Sequence, residues 1–166
     1  DLIKGSINPA ISEKGELLAA RISMAVAIVV ATWLGANPPG FAAQVVALAF
    51  GIAAASLFPA LMMGIFSKRV NNTGAIAGML SGLTFTLVYI FVYKGWLFIP
   101  GTANLPDTPE NWVLGISPLS IGAVGAIVNF AVAFIVSNAT EEPPVEIQEL
   151  VESVRYPRGA GQAQDH

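Results

Sequence analysis

The side chains able to do chemistry in this chain are few, and most lie outside its apolar stretches. The sequence has no cysteine and a single histidine, His166, its last residue. A disulfide, a thiol nucleophile and a histidine-based metal cluster are therefore excluded. No Asp, Glu, Lys or Arg occurs between Ile22 and Ser67 or between Val70 and Tyr93. Because acid–base catalysis and proton relays need ionisable groups, these stretches support neither.

The polar side chains inside the apolar stretches can contact a solute but not react with it. Most are hydroxyls, which in helices commonly hydrogen-bond to their own backbone. The others include Gln44, the strongest single candidate for a ligand contact, and Asn129, which we interpret as a polar contact between helices. Pro59 cannot donate an i→i−4 hydrogen bond, so it predicts a bend. The bend is either a hinge or a purely structural kink.

Four apolar stretches must position these residues, at 17–36, 42–66, 74–98 and 115–137. A bilayer core about 30 Å thick requires about 20 helical residues. The chain is 54% hydrophobic and 11% charged, whereas soluble domains carry about 25% charged residues. The sequence therefore predicts an all-α membrane protein with four transmembrane helices in a lipid bilayer. No basic patch indicates a nucleic-acid partner.

The basic residues predict the orientation of the spans. Short cytoplasmic loops collect Lys and Arg, and Lys94 is the one basic residue that departs from a common side. The other seven are Lys4, Lys14, Arg21, Lys68, Arg69, Arg155 and Arg158. Trp33, Trp96 and Trp112 all fall at the opposite ends of the spans, where indole rings favour the headgroup level. Both ends of the chain are therefore expected in the cytoplasm.

This orientation divides the chain into three parts. Residues 1–16 are expected to form a cytoplasmic loop, 17–137 the transmembrane segment and 138–166 a cytoplasmic tail. The tail contains apolar residues at helical spacing, which predicts a short amphipathic helix: Ile147, Leu150, Val151 and Val154. The chain starts at Asp1 without an initiator Met or a signal-peptide pattern. We therefore expect the C-terminal part of a longer protein.

Several segments resemble the sodium:solute symporter family. Residues 64–79, GIFSKRVNNTGAIAGM, resemble its loop in which a Phe-Trp-Lys-Arg-like run precedes a Gly-Ala-x-x-Gly-Met helix. Residues 1–5 and 12–21 resemble the cytoplasmic loop after the family's sodium-site helix. Residues 49–59 and the tail at 154–161 are similar to the cation/acetate symporter, or acetate permease, branch.

The resemblance implies a leucine-transporter-like core of two inverted five-helix repeats with added peripheral helices. Spans one and two would be the ninth and tenth core helices, and spans three and four would be peripheral. The family's sodium ligands lie on the first and eighth core helices, so this segment is expected to hold no cofactor or metal. The tenth core helix lines the substrate vestibule and outer gate, which implicates Gln44, Ala47 and Phe50.

The implied function is cation-coupled symport, with Na⁺ as the expected ion, of acetate or another short monocarboxylate. The implied location is the bacterial inner membrane, and the implied partners are the bilayer, the remainder of the symporter chain and the small carboxylate substrate. The alternative is a small four-helix membrane subunit with a structural or partner-binding role. These alternatives separate on length, because a symporter requires an upstream part carrying the ion ligands. An intramembrane enzyme is disfavoured, because the spans lack acid–base groups.

Overall fold

The computed structural model describes residues 12–38 and 40–153, which form helices and connections and contain no strand. The helices are α1 (Glu13–Ala36), α2 (Ala42–Phe66), α3 (Asn72–Lys94), α4 (Ile121–Ala139) and α5 (Val145–Ser153). Short 3-10 turns at Trp96–Phe98 and Val113–Gly115 lie between α3 and α4. The first four helices are long and apolar enough to cross a membrane. The predicted all-α architecture, with four helices able to span a membrane, is confirmed for the described residues.

Helix α1 belongs to a compact unit separate from the one that contains the other helices. It begins after Ser12, whose hydroxyl accepts a hydrogen bond from the Gly15 N–H at 3.3 Å. Such an N-cap satisfies a donor that the first turn leaves free. None of the membrane-spanning window of α1 is buried. Its apolar side chains therefore require lipid or further protein around them.

Helices α3 and α4 pack together through small residues spaced about one turn apart. An added Cβ atom on Gly78 would lie 2.8 Å from the Asn129 carbonyl oxygen, and one on Gly82 would lie 2.8 Å from the Gly125 carbonyl oxygen. Both distances are too short for any side chain, so the close approach of the two helices requires glycine at these positions. The buried residues of α4 are Ile121, Gly122, Gly125, Asn129, Ala133 and Ser137.

Helix α2 covers this pair with one face. Its buried residues are Leu48, Ala55 and Pro59. Leu48 contributes to an apolar cluster with Ile90 of α3 and Ile121 of α4. The opposite face of α2 exposes large apolar side chains, such as Phe50 at 72%. One side of α2 is thus fixed against α3 and α4, and no other described helix of residues 40–153 covers the opposite side.

The helix bounds match the predicted 42–66 span and differ elsewhere. The span predicted to reach residue 98 ends as a helix at Lys94, because Gly95 adopts a φ of +92° that stops the helix. The span predicted to start at 115 begins at Ile121, because Gly115 has a φ of +71° and Pro118 follows it. Helix α1 begins four residues before the predicted 17, since the Ser12 cap brings a polar first turn into the helix.

Candidate functional site

The two ends of the α2–α4 bundle differ in the connections that they carry. We call the end with Lys68 and Arg69, where the chain passes from α2 to α3, the basic end. We call the opposite end, where the long connection 95–120 joins α3 to α4, the loop end. Helix α2 starts at the loop end and finishes at the basic end.

The predicted vestibule residues occupy the first turns of α2, at the loop end. With 3.6 residues per turn, Gln44 falls in the same row as the buried Leu48 and Ala55, whereas Phe50 falls on the uncovered side. Gln44 and Ala47 are half-buried. The structure therefore places Gln44 and Phe50 on different sides of α2 rather than in one cluster. Their role in contacting a substrate stays a prediction.

The Gln44 side chain lies against the backbone just before α2. Its Oε1 atom occupies the space that a Cβ atom on Gly40 would take. Within the described residues, the side-chain amide has no hydrogen-bond partner. Its donors and acceptor are therefore available to a ligand or to another part of the protein.

The candidate hinge at Pro59 is buried, and α2 continues as a helix through it. Proline has no N–H, so the carbonyl of Ala55, four residues earlier, loses its usual helical donor. Asn129 of α4 supplies one: its Nδ2 donates to the Ala55 and Ser56 carbonyl oxygens, both at 2.8 Å. We call Ala55, Ser56, Pro59 and Asn129 together the Pro59 junction. The predicted polar contact of Asn129 between helices is confirmed.

Sequence reasoning considered Asn129 and Pro59 separately and missed that they act together. A signal was present in the chain. A buried carbonyl freed by a proline needs a donor, and α4 offers one amide in its central turns, at Asn129. The sequence does not show that α2 and α4 are in contact, and this contact brings the Asn129 amide to the Ala55 carbonyl.

The basic end is held by side-chain bonds between the start of α3 and the end of α4. Arg69 Nη2 donates to the carbonyl oxygens of Asn138, at 3.2 Å, and Thr140, at 2.8 Å. A cation placed there satisfies carbonyls that the end of a helix leaves free. Asn71 Oδ1 caps α3 by accepting from the Gly74 N–H at 2.8 Å, and its Nδ2 donates to Thr140 Oγ1 at 2.6 Å. The segment that resembles the family loop thus joins two helix ends.

The positive charges of the basic end face acidic residues that follow α4. Lys68 Nζ lies 2.6 Å from Glu152 of α5, and Arg69 Nε lies 3.8 Å from Glu142. Exposed pairs of this kind contribute about 0–1 kcal/mol each. They tether α5 weakly and reduce the net charge at this end.

At the loop end, Lys94 is neutralised locally. Its Nζ atom lies 2.6 Å from Asp107, whose other carboxylate oxygen accepts from Trp112 Nε1 at 2.9 Å. Tyr93 OH donates to the Asn111 carbonyl at 2.7 Å. The 95–120 connection is therefore folded onto the end of α3, and the basic residue that departed from the charge pattern is paired. Among the described residues, no cluster of His, Asp and Glu could hold a metal ion.

Comparison with known proteins identifies related sequences. The sequence model of the Sodium:solute symporter family matches residues 1–82. The chain is 33% identical over 144 residues to an uncharacterized symporter of Cupriavidus necator. It is 24% identical over 142 residues to sodium/proline symporter 2 of Staphylococcus saprophyticus and 25% identical over 154 residues to the sodium/proline symporter of Staphylococcus aureus.

These alignments cover most of this chain but a small part of each relative. They include 87%, 86% and 93% of the chain, in the same order, and 20%, 25% and 27% of the relatives. No solved structure matches the chain. The matching family and the similar proteins are named as symporters, which are transporters rather than enzymes.

Proposed function

We propose, because residues 1–82 match the sequence model of the Sodium:solute symporter family, that this chain is part of a transporter coupling solute movement to Na⁺. The observation that carries the proposal is that the family match covers α1 and α2, both apolar enough to span a bilayer. The chain spans only 20% to 27% of the three relatives. We therefore assign the ion ligands to the remainder of the protein.

Within that protein, we assign α1 and α2 to the ninth and tenth core helices of a leucine-transporter-like fold, and α3 and α4 to peripheral positions. The packing of α3 and α4 on one face of α2 supports a peripheral pair that leaves the other face of α2 to the transport core. The distribution of Lys and Arg supports an orientation with residues 1–16 and the tail 138–166 in the cytoplasm. The bacterial origin of the three relatives supports placement in a bacterial inner membrane.

The proposed substrate is acetate or another short monocarboxylate. The likeness of residues 49–59 to the cation/acetate branch supports it. Proline is a second candidate, because two of the relatives are named sodium/proline symporters. Both solutes carry a carboxylate, so a site at the loop end of α2 would have one negatively charged group to recognise in either case.

The test is solute uptake by the full-length gene product in proteoliposomes. Labelled acetate and labelled proline are supplied separately under an inward Na⁺ gradient, an inward H⁺ gradient or no gradient. We expect the Na⁺ gradient to accelerate the uptake of one of the two solutes, acetate first. Acceleration by the H⁺ gradient alone would overturn sodium coupling. No gradient-dependent uptake of either solute would overturn the proposed substrate class.

A further inference from the structure

The Pro59 junction contains two backbone carbonyls in the bundle, those of Ala55 and Ser56, that accept hydrogen bonds from a side chain of another helix. The Ala55 carbonyl has no donor from its own helix, because the residue four positions later is Pro59. Ala55 is 0% exposed, so water does not reach this site from outside. An unpaired carbonyl in such a place is costly. Asn129, itself 0% exposed, supplies the missing donor.

The orientation of the Asn129 amide follows from its partners. Two carbonyl oxygens at 2.8 Å require the nitrogen, not the oxygen, to face α2. Asn129 Oδ1 is buried without a hydrogen-bond partner in the described residues. Such an orphaned acceptor is unfavourable. Asn129 thus acts as a double donor toward α2, with its acceptor unused.

Glycines hold Asn129 in a fixed place. An added Cβ atom on Gly82 of α3 would lie 2.8 Å from Asn129 Cβ, and one on Gly78 would lie 2.8 Å from the Asn129 carbonyl oxygen. The backbone of α3 therefore packs directly on the turn that carries Asn129. The amide is presented from a closely packed α3–α4 pair, which positions it against the Ala55–Ser56 turn of α2.

We propose that Asn129 is a positioning residue for transport, which anchors α2 at the turn before Pro59 and sets the point about which its first half moves. That half carries Gln44, Ala47 and Phe50. The inference rests on the proposed function, because it assigns Asn129 a part in the transport cycle. It differs from a packing role, since it requires the donation to α2 and not merely the volume of the side chain.

The experiment is a double-mutant cycle in the full-length protein. Asn129→Leu removes both donors and keeps the branching and the number of side-chain heavy atoms. Pro59→Ala restores an N–H that can bond the Ala55 carbonyl, so it should make Asn129 partly dispensable. The matched control is Asn138→Leu on the same helix, because the Asn138 amide donates to the Phe134 carbonyl of its own helix, at 2.8 Å. Na⁺-driven uptake is measured in proteoliposomes at equal protein amounts.

We expect Asn129→Leu to lower the maximal uptake rate by about tenfold and to change the half-saturating solute concentration by less than about twofold. Asn138→Leu should change neither value. In the Pro59→Ala background, Asn129→Leu should cost less than about threefold, because coupled residues are not additive. Equal losses in both backgrounds, or no loss in either, would overturn the inference.

Thermal unfolding in detergent tests the same contact without a transport assay. The four proteins compared are the parent, Asn129→Leu, Pro59→Ala and the double variant. We expect Asn129→Leu to lower the Tm more in the Pro59 background than in the Pro59→Ala background. If Asn129→Leu does not reach the membrane, Asn129→Ala takes its place. A parent protein that takes up no solute overturns the proposed function, whereas equal Tm losses in both backgrounds overturn the Pro59 junction as the reason for Asn129.

Discussion

Gln44 has hydrogen-bonding capacity that the described residues leave unused. The side chain is half-buried at the loop end and lies against Gly40. A polar group in a membrane-spanning helix is usually paired. Under the proposed function, we expect its partner to be the solute or a group on the remainder of the full-length protein.

Replacing Gln44 tests this at the level of one residue. We expect Gln44→Ala to raise the half-saturating solute concentration by about three- to tenfold, the equivalent of one lost hydrogen bond, at near-normal expression. The control is Gln148→Ala, because the Gln148 amide donates to the Pro143 carbonyl beside α5, outside the spans. Uptake kinetics that match the unaltered protein would leave Gln44 with a packing role only.

At the scale of elements, the close packing of α3 against α4 requires glycines, which have no side chain, at the contact. Gly82 faces the backbone carbonyls of two neighbouring helices, from Ala55 and Gly125. Gly64, near the end of α2, has no described atom within 4 Å of the place where a Cβ atom would go. Both residues are helical glycines, so they differ mainly in what surrounds them.

We expect Gly82→Ala to lower the free energy of unfolding by about 1–3 kcal/mol, because the backbone contacts would have to open. Gly64→Ala is the matched control and should be neutral or slightly stabilising, since alanine favours helix. Thermal unfolding of the purified full-length protein gives the comparison. Similar Tm values for the two variants would show that α3 and α4 are not held at the distance described here.

The elements also show what sequence reasoning could and could not supply. The bounds of α2 were predictable, because a Pro-Pro-Gly turn and a polar loop flank a continuous apolar run. The end of α3 and the start of α4 were not, because apolar residues such as Leu97 and Leu114 continue the pattern while the backbone leaves the helix, with φ of 52° and 54°. Hydropathy depends on residue composition and does not show where the backbone leaves the helix.

The grouping of Gln44 with Phe50 came from the family resemblance. Helical spacing instead places these two residues on different sides of α2.

At the scale of the whole molecule, the proposal requires more protein than this chain contains. Residues 1–166 alone, reconstituted in liposomes, should show no Na⁺-dependent uptake of acetate or proline, with the full-length gene product as the control. The ion ligands assigned to other helices would be missing. Sodium-driven uptake by the segment alone would contradict this assignment.

The size of the native protein is a second test. If an antibody to residues 154–166 detects only a 17.3 kDa native product, the alternative function of a small four-helix membrane subunit becomes the better explanation.

The Pro59 junction has a consequence for the biogenesis of the protein. Synthesis proceeds from the N-terminus, so α2 enters the membrane before α4 emerges from the ribosome. The Ala55 carbonyl therefore has no Asn129 donor until α4 is inserted. The Asn129 amide can donate to it from that point on. A nascent chain stopped before α4 would present an unpaired carbonyl to lipid, which is a polar defect of the kind that membranes tolerate poorly. Newly made protein truncated between α3 and α4 should thus be a preferred substrate for membrane quality-control proteases.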